Sequence, residues 1–190
     1  MSNYTTFNRN EEFFVDMQRC IGCKACEMAC AECETNGHDS MIHVNYVERS
    51  TTIQTTVQVC MHCEDPVCAN VCPADAISKD EFGIVHTANT ERCIGCSNCV
   101  IACPFGVPKK MEEYDLMMKC NMCYDRTSVG KKPMCATVCP SGALYYGTKE
   151  SIAEMRPNSV PVNEFVFGNE LVVTKVNLMM PKGYSQLIIE

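Results

Sequence analysis

Sixteen of the chain's seventeen cysteines fall into four quartets, and this spacing constrains the fold more than any other feature. The first quartet is Cys20, Cys23, Cys26 and Cys30, and the second is Cys60, Cys63, Cys68 and Cys72. The third is Cys93, Cys96, Cys99 and Cys103, and the fourth is Cys120, Cys123, Cys135 and Cys139. Quartets one and three share C-I-G-C-x-x-C-x-x-A-C. Quartets two and four share a C-x-x-C pair and then P-[VM]-C-A-x-V-C-P, which runs on as Cys72-Pro-Ala-Asp-Ala-Ile77 and Cys139-Pro-Ser-Gly-Ala-Leu144. Repetition of this kind signals a duplicated unit.

The C-x₂-C-x₂-C-x₃-C-P run is a [4Fe–4S] signature in which the fourth cysteine serves the other cluster of a pair. Three cysteines at successive third positions wrap one cubane, and Gly22 and Gly95 ease that tight turn. The fourth is expected at the start of a helix, where a following proline suits the first turn and offers no backbone donor. Cys72, Cys103 and Cys139 each have that proline, whereas Cys30 is followed by Ala31.

Quartets two and three are consecutive. Their linker reads as a short hairpin, Ala76-Ile77, a turn containing Gly83, then Ile84-Val85. Quartets one and four show the same junction in reverse chain order: Ala143 to Gly147 matches Ala76-Ile77, and Phe13 to Arg19 matches the stretch from Gly83 to Arg92. The fold expected is α+β, two fused bacterial-type two-[4Fe–4S] ferredoxin modules with small hairpins and short helices. The inner module, 60–103, is inserted into a circularly permuted outer one, 1–59 and 104–150, and 151–190 forms a tail. Four complete ligand sets follow. Cys20, Cys23, Cys26 and Cys139 form one, and Cys30, Cys120, Cys123 and Cys135 its partner. Cys60, Cys63, Cys68 and Cys103 form the third, and Cys72, Cys93, Cys96 and Cys99 the fourth. No ligand position is replaced, so four [4Fe–4S] clusters are expected and no three-iron cluster.

Composition agrees with an organising metal. Cysteine is about 9% of the 190 residues, Trp is absent, and Phe and Tyr number seven each, so a core of large side chains is thin. A disulfide framework needs an oxidising compartment. The N-terminus has neither a basic n-region nor an apolar h-region, and Arg9 and Arg19 stand alone rather than as a twin arginine. Zn(Cys₄) sites use two separated knuckles rather than three cysteines at successive third positions. No run approaches the ~20 apolar residues of a membrane span. The formal charge is −7, and four clusters, each adding two negative charges with its thiolates, would take it to about −15, which argues against nucleic acid as a partner. No nucleophile set can be drawn from thiols that serve as ligands, and no phosphate-cradling glycine loop is present.

The cysteine order, His62-Cys63-Glu-Asp-Pro66, Cys103-Pro-Phe-Gly106 and Lys119-Cys-Asn-Met-Cys123-Tyr-Asp-Arg126 resemble the four-cluster ferredoxin subunits of molybdenum and tungsten bis-pterin oxidoreductases. Formate dehydrogenases and dimethyl sulfoxide, tetrathionate and polysulfide reductases carry such subunits. The resemblance covers about residues 12–150. It implies a non-catalytic electron relay between a large pterin-containing subunit and a quinone-reactive, flavin or ferredoxin partner. The sequence departs from the longer members, with neither an anchor helix nor a twin-arginine signal read in it, so a cytoplasmic protein that meets a membrane only through another subunit is expected. The alternatives are a free-standing polyferredoxin, a carrier for a CO dehydrogenase or hydrogenase, and a structural zinc protein.

The remaining features carry blander expectations. Cys33 is read as a buried filler beside a spare-ligand reading. His62 is read as a helix-cap or surface histidine before a cluster-tuning one, and His38, His43 and His86 receive no role. The thirteen Met residues are read as packing round the cubanes. Lys109-Lys110 and Lys131-Lys132 are read equally as solvated loop lysines and as groups that steer a partner or offset cluster charge. In the tail, 149–155 reads as a short helix and 164–180 as a hairpin turning at Gly168-Asn169, which either docks on a partner or caps the domain.

Overall fold

The computed structural model describes residues 10–33, 39–48 and 53–189, so the reading of the first residues, Arg9 included, and His38 lie outside the described residues. The strands are β1 (Glu12–Val15), β2 (His43–Glu48), β3 (Ile53–Gln58), β4 (Lys109–Met111), β5 (Leu116–Met118), β6 (Leu144–Gly147), β7 (Ser159–Phe167), β8 (Glu170–Pro181) and β9 (Leu187–Ile189). The helices are α1 (Ala25–Ala31), α2 (Val67–Asn70), α3 (Asn98–Ala102), α4 (Tyr124–Thr127), α5 (Met134–Val138) and α6 (Lys149–Met155). Apart from the tail, most elements are short and are joined by long stretches of loop. This mixed, loop-rich architecture is what cysteine-organised segments produce.

The five-stranded sheet runs β6-β1-β8-β7-β9, and β2-β3 and β4-β5 form separate ladders. Strand β1 pairs antiparallel with β6, Val15 opposite Leu144, and parallel with β8, Phe13 opposite Val176. Phe13, Val15, Ile42, Ile84, Leu144, Tyr146, Phe165 and Val176 belong to the main core, together with Cys26, Cys30 and Cys135. A second core gathers Ala76, Ile77, Val85, Ala88 and Met117 round Cys68 and Cys99.

The two junctions resemble each other in their hydrogen bonds. Beyond the β1–β6 ladder, the Asp16 amide donates to the Ala143 carbonyl at 2.7 Å. In the inner linker, the Asn89 amide donates to the Ala76 carbonyl at 2.8 Å, and the His86 amide to the Ser78 carbonyl at 2.8 Å. The Arg19 amide then closes on Asp16, and the Arg92 amide on Asn89, each at 3.2 Å. The short inner hairpin is present as a bridge between Lys79 and Val85.

The helices depart from the sequence expectation. The fourth cysteine of each run does not open a helix; it lies at or just beyond the end of one. Helices α1 and α3 start after Lys24 and Ser97, both with positive φ, and carry the third cysteine in their first turn. A residue before proline is pushed out of the helical region. Cys103 and Cys139 accordingly have ψ of 116° and 107°, and α3 and α5 stop there. Quartet one lacks the proline, and α1 continues through Cys30 to Ala31.

The tail contains the expected helix and hairpin. Thr148 caps α6 by accepting from the Ser151 amide. Strands β7 and β8 turn at Gly168-Asn169. The hairpin is built into the domain: β8 lies against β1, and the Lys175 amide bonds the Met61 and His62 carbonyls at 3.2 and 3.0 Å. Phe165 and Phe167 grip Phe105 edge-on, with ring centroids 5.2 and 5.3 Å away.

Lys109 and Lys110 lie on β4 rather than in a loop. Lys109 contacts the His43 ring, and Lys110 pairs with Asp115 at 2.7 Å. The Lys132 ammonium lies 5.2 Å from the centre of the Tyr145 ring.

Candidate cluster-binding sites

The cysteine loops use positive φ to turn tightly. Gly22 and Gly95 sit at +69° and +66°. A Cβ on Gly95 would lie 2.9 Å from Asp115 Oδ1 and 3.1 Å from the Asp115 carbonyl oxygen. One on Gly22 would lie 2.9 Å from Thr55 Cγ2 and 3.1 Å from the Tyr46 ring. The Tyr46 hydroxyl donates to the Gly22 carbonyl at 2.9 Å, which ties the first loop to β2.

Thiols distant in sequence meet in groups. Burial pushes the Cys26 thiol up to about 11, and the charges of Glu27, Cys139 and Cys20 around it add to that rise. Cys30, Cys120, Cys123 and Cys135 line one space with Phe13, Ile42, Val59, Met122 and Val176. Cys60, Cys63, Cys68 and Cys103 line a second with Val85, Phe105, Val107 and Lys119. Cys72, Cys93, Cys96 and Cys99 line a third with Ala76, Ile77, Ala88 and Met117. Helix α1 packs against α5 and α2 against α3, which brings quartet one beside quartet four and quartet two beside quartet three.

Burial is the first cause of the raised thiols. It pushes Cys63 and Cys123 up to about 12 and Cys68 up to about 11, with the neighbouring thiols adding to each. Cys120 and Cys135 are also raised, for the same reason. Thiolates crowded into apolar space need a positive core at their centre, and iron–sulfide supplies one. Among the described residues, no three of His, Cys, Asp and Glu gather tightly enough to hold a single metal ion. The four-thiol spaces have mostly apolar walls.

His62 departs from expectation. It is 1% exposed, neither on the surface nor capping a helix, and its Nδ1 accepts the Val85 amide at 3.0 Å. Burial, and then the Lys119 charge, lower its pKa well below the usual range, so the ring is neutral. Cys33 is buried beside Cys123 and Cys30, and burial raises its thiol. Sequence reasoning gave Lys119 no role. It stands directly before Cys120 and is 2% exposed, but a lone lysine in sequence carries no signal of burial.

Loop-borne thiol groups inside an apolar frame define a ferredoxin-type iron–sulfur protein. Similarity to known proteins agrees. The family model for the 4Fe-4S dicluster domain matches residues 51–149, and that for a 4Fe-4S binding domain matches 17–35. The iron-sulfur subunit of the nitrate-inducible formate dehydrogenase of Escherichia coli (strain K12) is 37% identical over 77% of this sequence and 57% of its own length. The formate dehydrogenase-O iron-sulfur subunit of that organism is 36% identical over 77% and 56%. The B subunit of its anaerobic dimethyl sulfoxide reductase is 40% identical over 71% and 72%. The protein belongs to the 4Fe–4S dicluster family that includes these subunits. It spans 57% of the length of the first of those relatives. Among the described residues, no helix is long and apolar enough to cross a membrane.

Proposed function

We propose that the protein is the electron-transfer subunit of a larger oxidoreductase and holds four [4Fe–4S] clusters in a row. The observation that carries this is the convergence of thiols from distant segments on separate apolar spaces. The ligand sets are Cys20, Cys23, Cys26 and Cys139; Cys30, Cys120, Cys123 and Cys135; Cys60, Cys63, Cys68 and Cys103; and Cys72, Cys93, Cys96 and Cys99. Bound clusters supply one-electron redox chemistry, and the protein supplies position and environment.

Shared neighbours support the row. Cys135 feels the charge of Cys26, which joins the first two sets. Cys60 lines both the second and the third space. Cys68 and Cys99 share one apolar core, which joins the third and fourth sets. At the two ends, Cys23 and Cys96 are exposed, and each follows an Ile-Gly whose isoleucine is exposed, Ile21 at 67% and Ile94 at 65%. Shielded interior sites and open terminal sites are what a conductor between two partners requires. The matching junction hydrogen bonds support the permuted outer module, 1–59 with 104–150, around the inner 60–103.

The partner proposed is a large molybdenum- or tungsten-pterin catalytic subunit, with a flavin, ferredoxin or quinone-reactive subunit at the far end. The relatives' names, which place them in formate dehydrogenase and dimethyl sulfoxide reductase, support it. Anaerobic purification from native extract tests both parts. The expected result is about sixteen iron and sixteen sulfide per polypeptide, from four cubanes, and a stoichiometric pterin-containing subunit. A brown but solitary polypeptide would replace the partner reading with a free polyferredoxin. A colourless, zinc-loaded one would overturn the cluster reading.

A further inference from the structure

Lys119 is a buried cation whose contacts include no carboxylate. Among the described residues it belongs to no ion pair. Its Nζ donates to the Val85 carbonyl, to the Cys120 carbonyl at 3.2 Å and to Cys60 Sγ at 3.7 Å, which uses the three donors an ammonium has. Its own amide donates to Thr87 Oγ1 at 3.2 Å, which fixes the base of the side chain. Burying an ammonium is costly unless a negative charge faces it. Two carbonyls and one thiol satisfy its hydrogen bonds but leave its charge uncompensated.

The side chain forms part of the wall of the space lined by Cys60, Cys63, Cys68 and Cys103. Its charge is felt by the Cys68 thiol, where it opposes the effect of burial. Cys60, which it bonds, also faces the neighbouring space of Cys30, Cys120, Cys123 and Cys135. The missing negative charge therefore belongs on the side of the thiols.

We infer that Lys119 is the internal counter-cation of the cluster held by Cys60, Cys63, Cys68 and Cys103 and sets its reduction potential above what an uncharged wall would give. This rests on the ligand reading above. Reduction adds a negative charge to a site that is already anionic, and a fixed cation in a low-dielectric wall favours the more negative form. Lys119 acts through the cluster's surroundings and is a positioning residue rather than a ligand.

The test is a redox titration of the intact holoprotein, followed by electron paramagnetic resonance, on three variants. Cys63→Ser identifies the signal of this cluster. Lys119→Met removes the charge at similar length, and Lys119→Arg keeps it. Lys119→Met is expected to lower the reduced-to-oxidised ratio of that one signal at least tenfold at fixed poise, about 59 mV for a one-electron couple, while Lys119→Arg stays near wild type. Loss of that cluster in Lys119→Met but not in Lys119→Arg also supports the counter-cation. An unmoved potential in Lys119→Met, or equal shifts or equal cluster loss in both lysine variants, overturns it. If Cys63→Ser removes no cluster, the ligand reading fails and this inference falls with it. If Cys63→Ser removes one and Lys119→Met leaves that signal unmoved, only the role of Lys119 fails.

Discussion

Arg19 donates from Nε to the Ser141 carbonyl at 3.1 Å, across 122 positions of sequence. Its counterpart in the inner linker, Arg92, donates from Nη1 to the Asp75 carbonyl, also at 3.1 Å, across 17 positions. A similar clasp, its acceptor two residues past Cys139 in one case and three past Cys72 in the other, thus joins two distant segments in one half of the molecule and closes a local loop in the other.

The first prediction follows from that clasp. Cys20→Ser and Cys139→Ser should damage the same cluster, with one and the same paramagnetic signal altered and the other three kept. Redox titration of both variants checks this. Loss of different signals would contradict the nested arrangement.

Gly95→Ala should be more damaging than Gly22→Ala. Both carry a positive φ that costs an alanine roughly 1–2 kcal/mol. The added Cβ at 95 also meets the Asp115 backbone, which cannot step aside, whereas at 22 it meets the side chains of Thr55 and Tyr46. Iron content per polypeptide after purification, and the unfolding midpoint, should both rank the variants in that order.

Phe165→Ala should loosen the hold of the tail on the site. Phe165 is 2% exposed and packs edge-on against Phe105, which lines the space of Cys60, Cys63, Cys68 and Cys103. A buried Phe→Ala change costs about 3–5 kcal/mol. Thermal unfolding should shift down, and cluster loss under dilute chelator should begin with the signal that Cys63→Ser identifies.

His43 should make the fold sensitive to acid. Burial first, then the ammonium of Lys109, lowers its pKa, while Glu27 and a hydrogen bond to the Ser40 backbone work the other way. The unfolded state therefore binds this proton more readily than the folded one. The contribution of neutral His43 is intact above the unfolded value of about 6.5 and is lost as pH falls from there toward the lower folded value. His43→Gln should show a smaller loss of stability than wild type across that window in denaturant melts at matched pH. Equal losses would remove His43 as the cause.

The cluster chemistry was legible in the sequence because ligand spacing is local: Cys20-Ile-Gly-Cys23 and Cys93-Ile-Gly-Cys96 specify a tight loop wherever they occur. The tail hairpin was legible for the same reason, since Gly168-Asn169 turns between two apolar runs. Helix direction was misread. The proline after Cys103 acts on the residue before it and ends α3 rather than starting a helix. His62 was misread as capping or exposed, because its burial depends on Val85 of the inner linker and on β8 lying across the Cys60–Cys63 loop.

By itself the sequence determined the spacing of the cysteines and how they repeat, and with that the 4Fe–4S character of the protein, since thiol chemistry and short-range loop geometry are properties of a few adjacent residues. Only the tertiary structure decided where the charges sit. Lys119 reads as one lysine among others until Val85, Cys60 and Cys120 close round it. The cost of burying an ammonium depends on every group that surrounds it in space, and those groups come from three separate segments of the sequence.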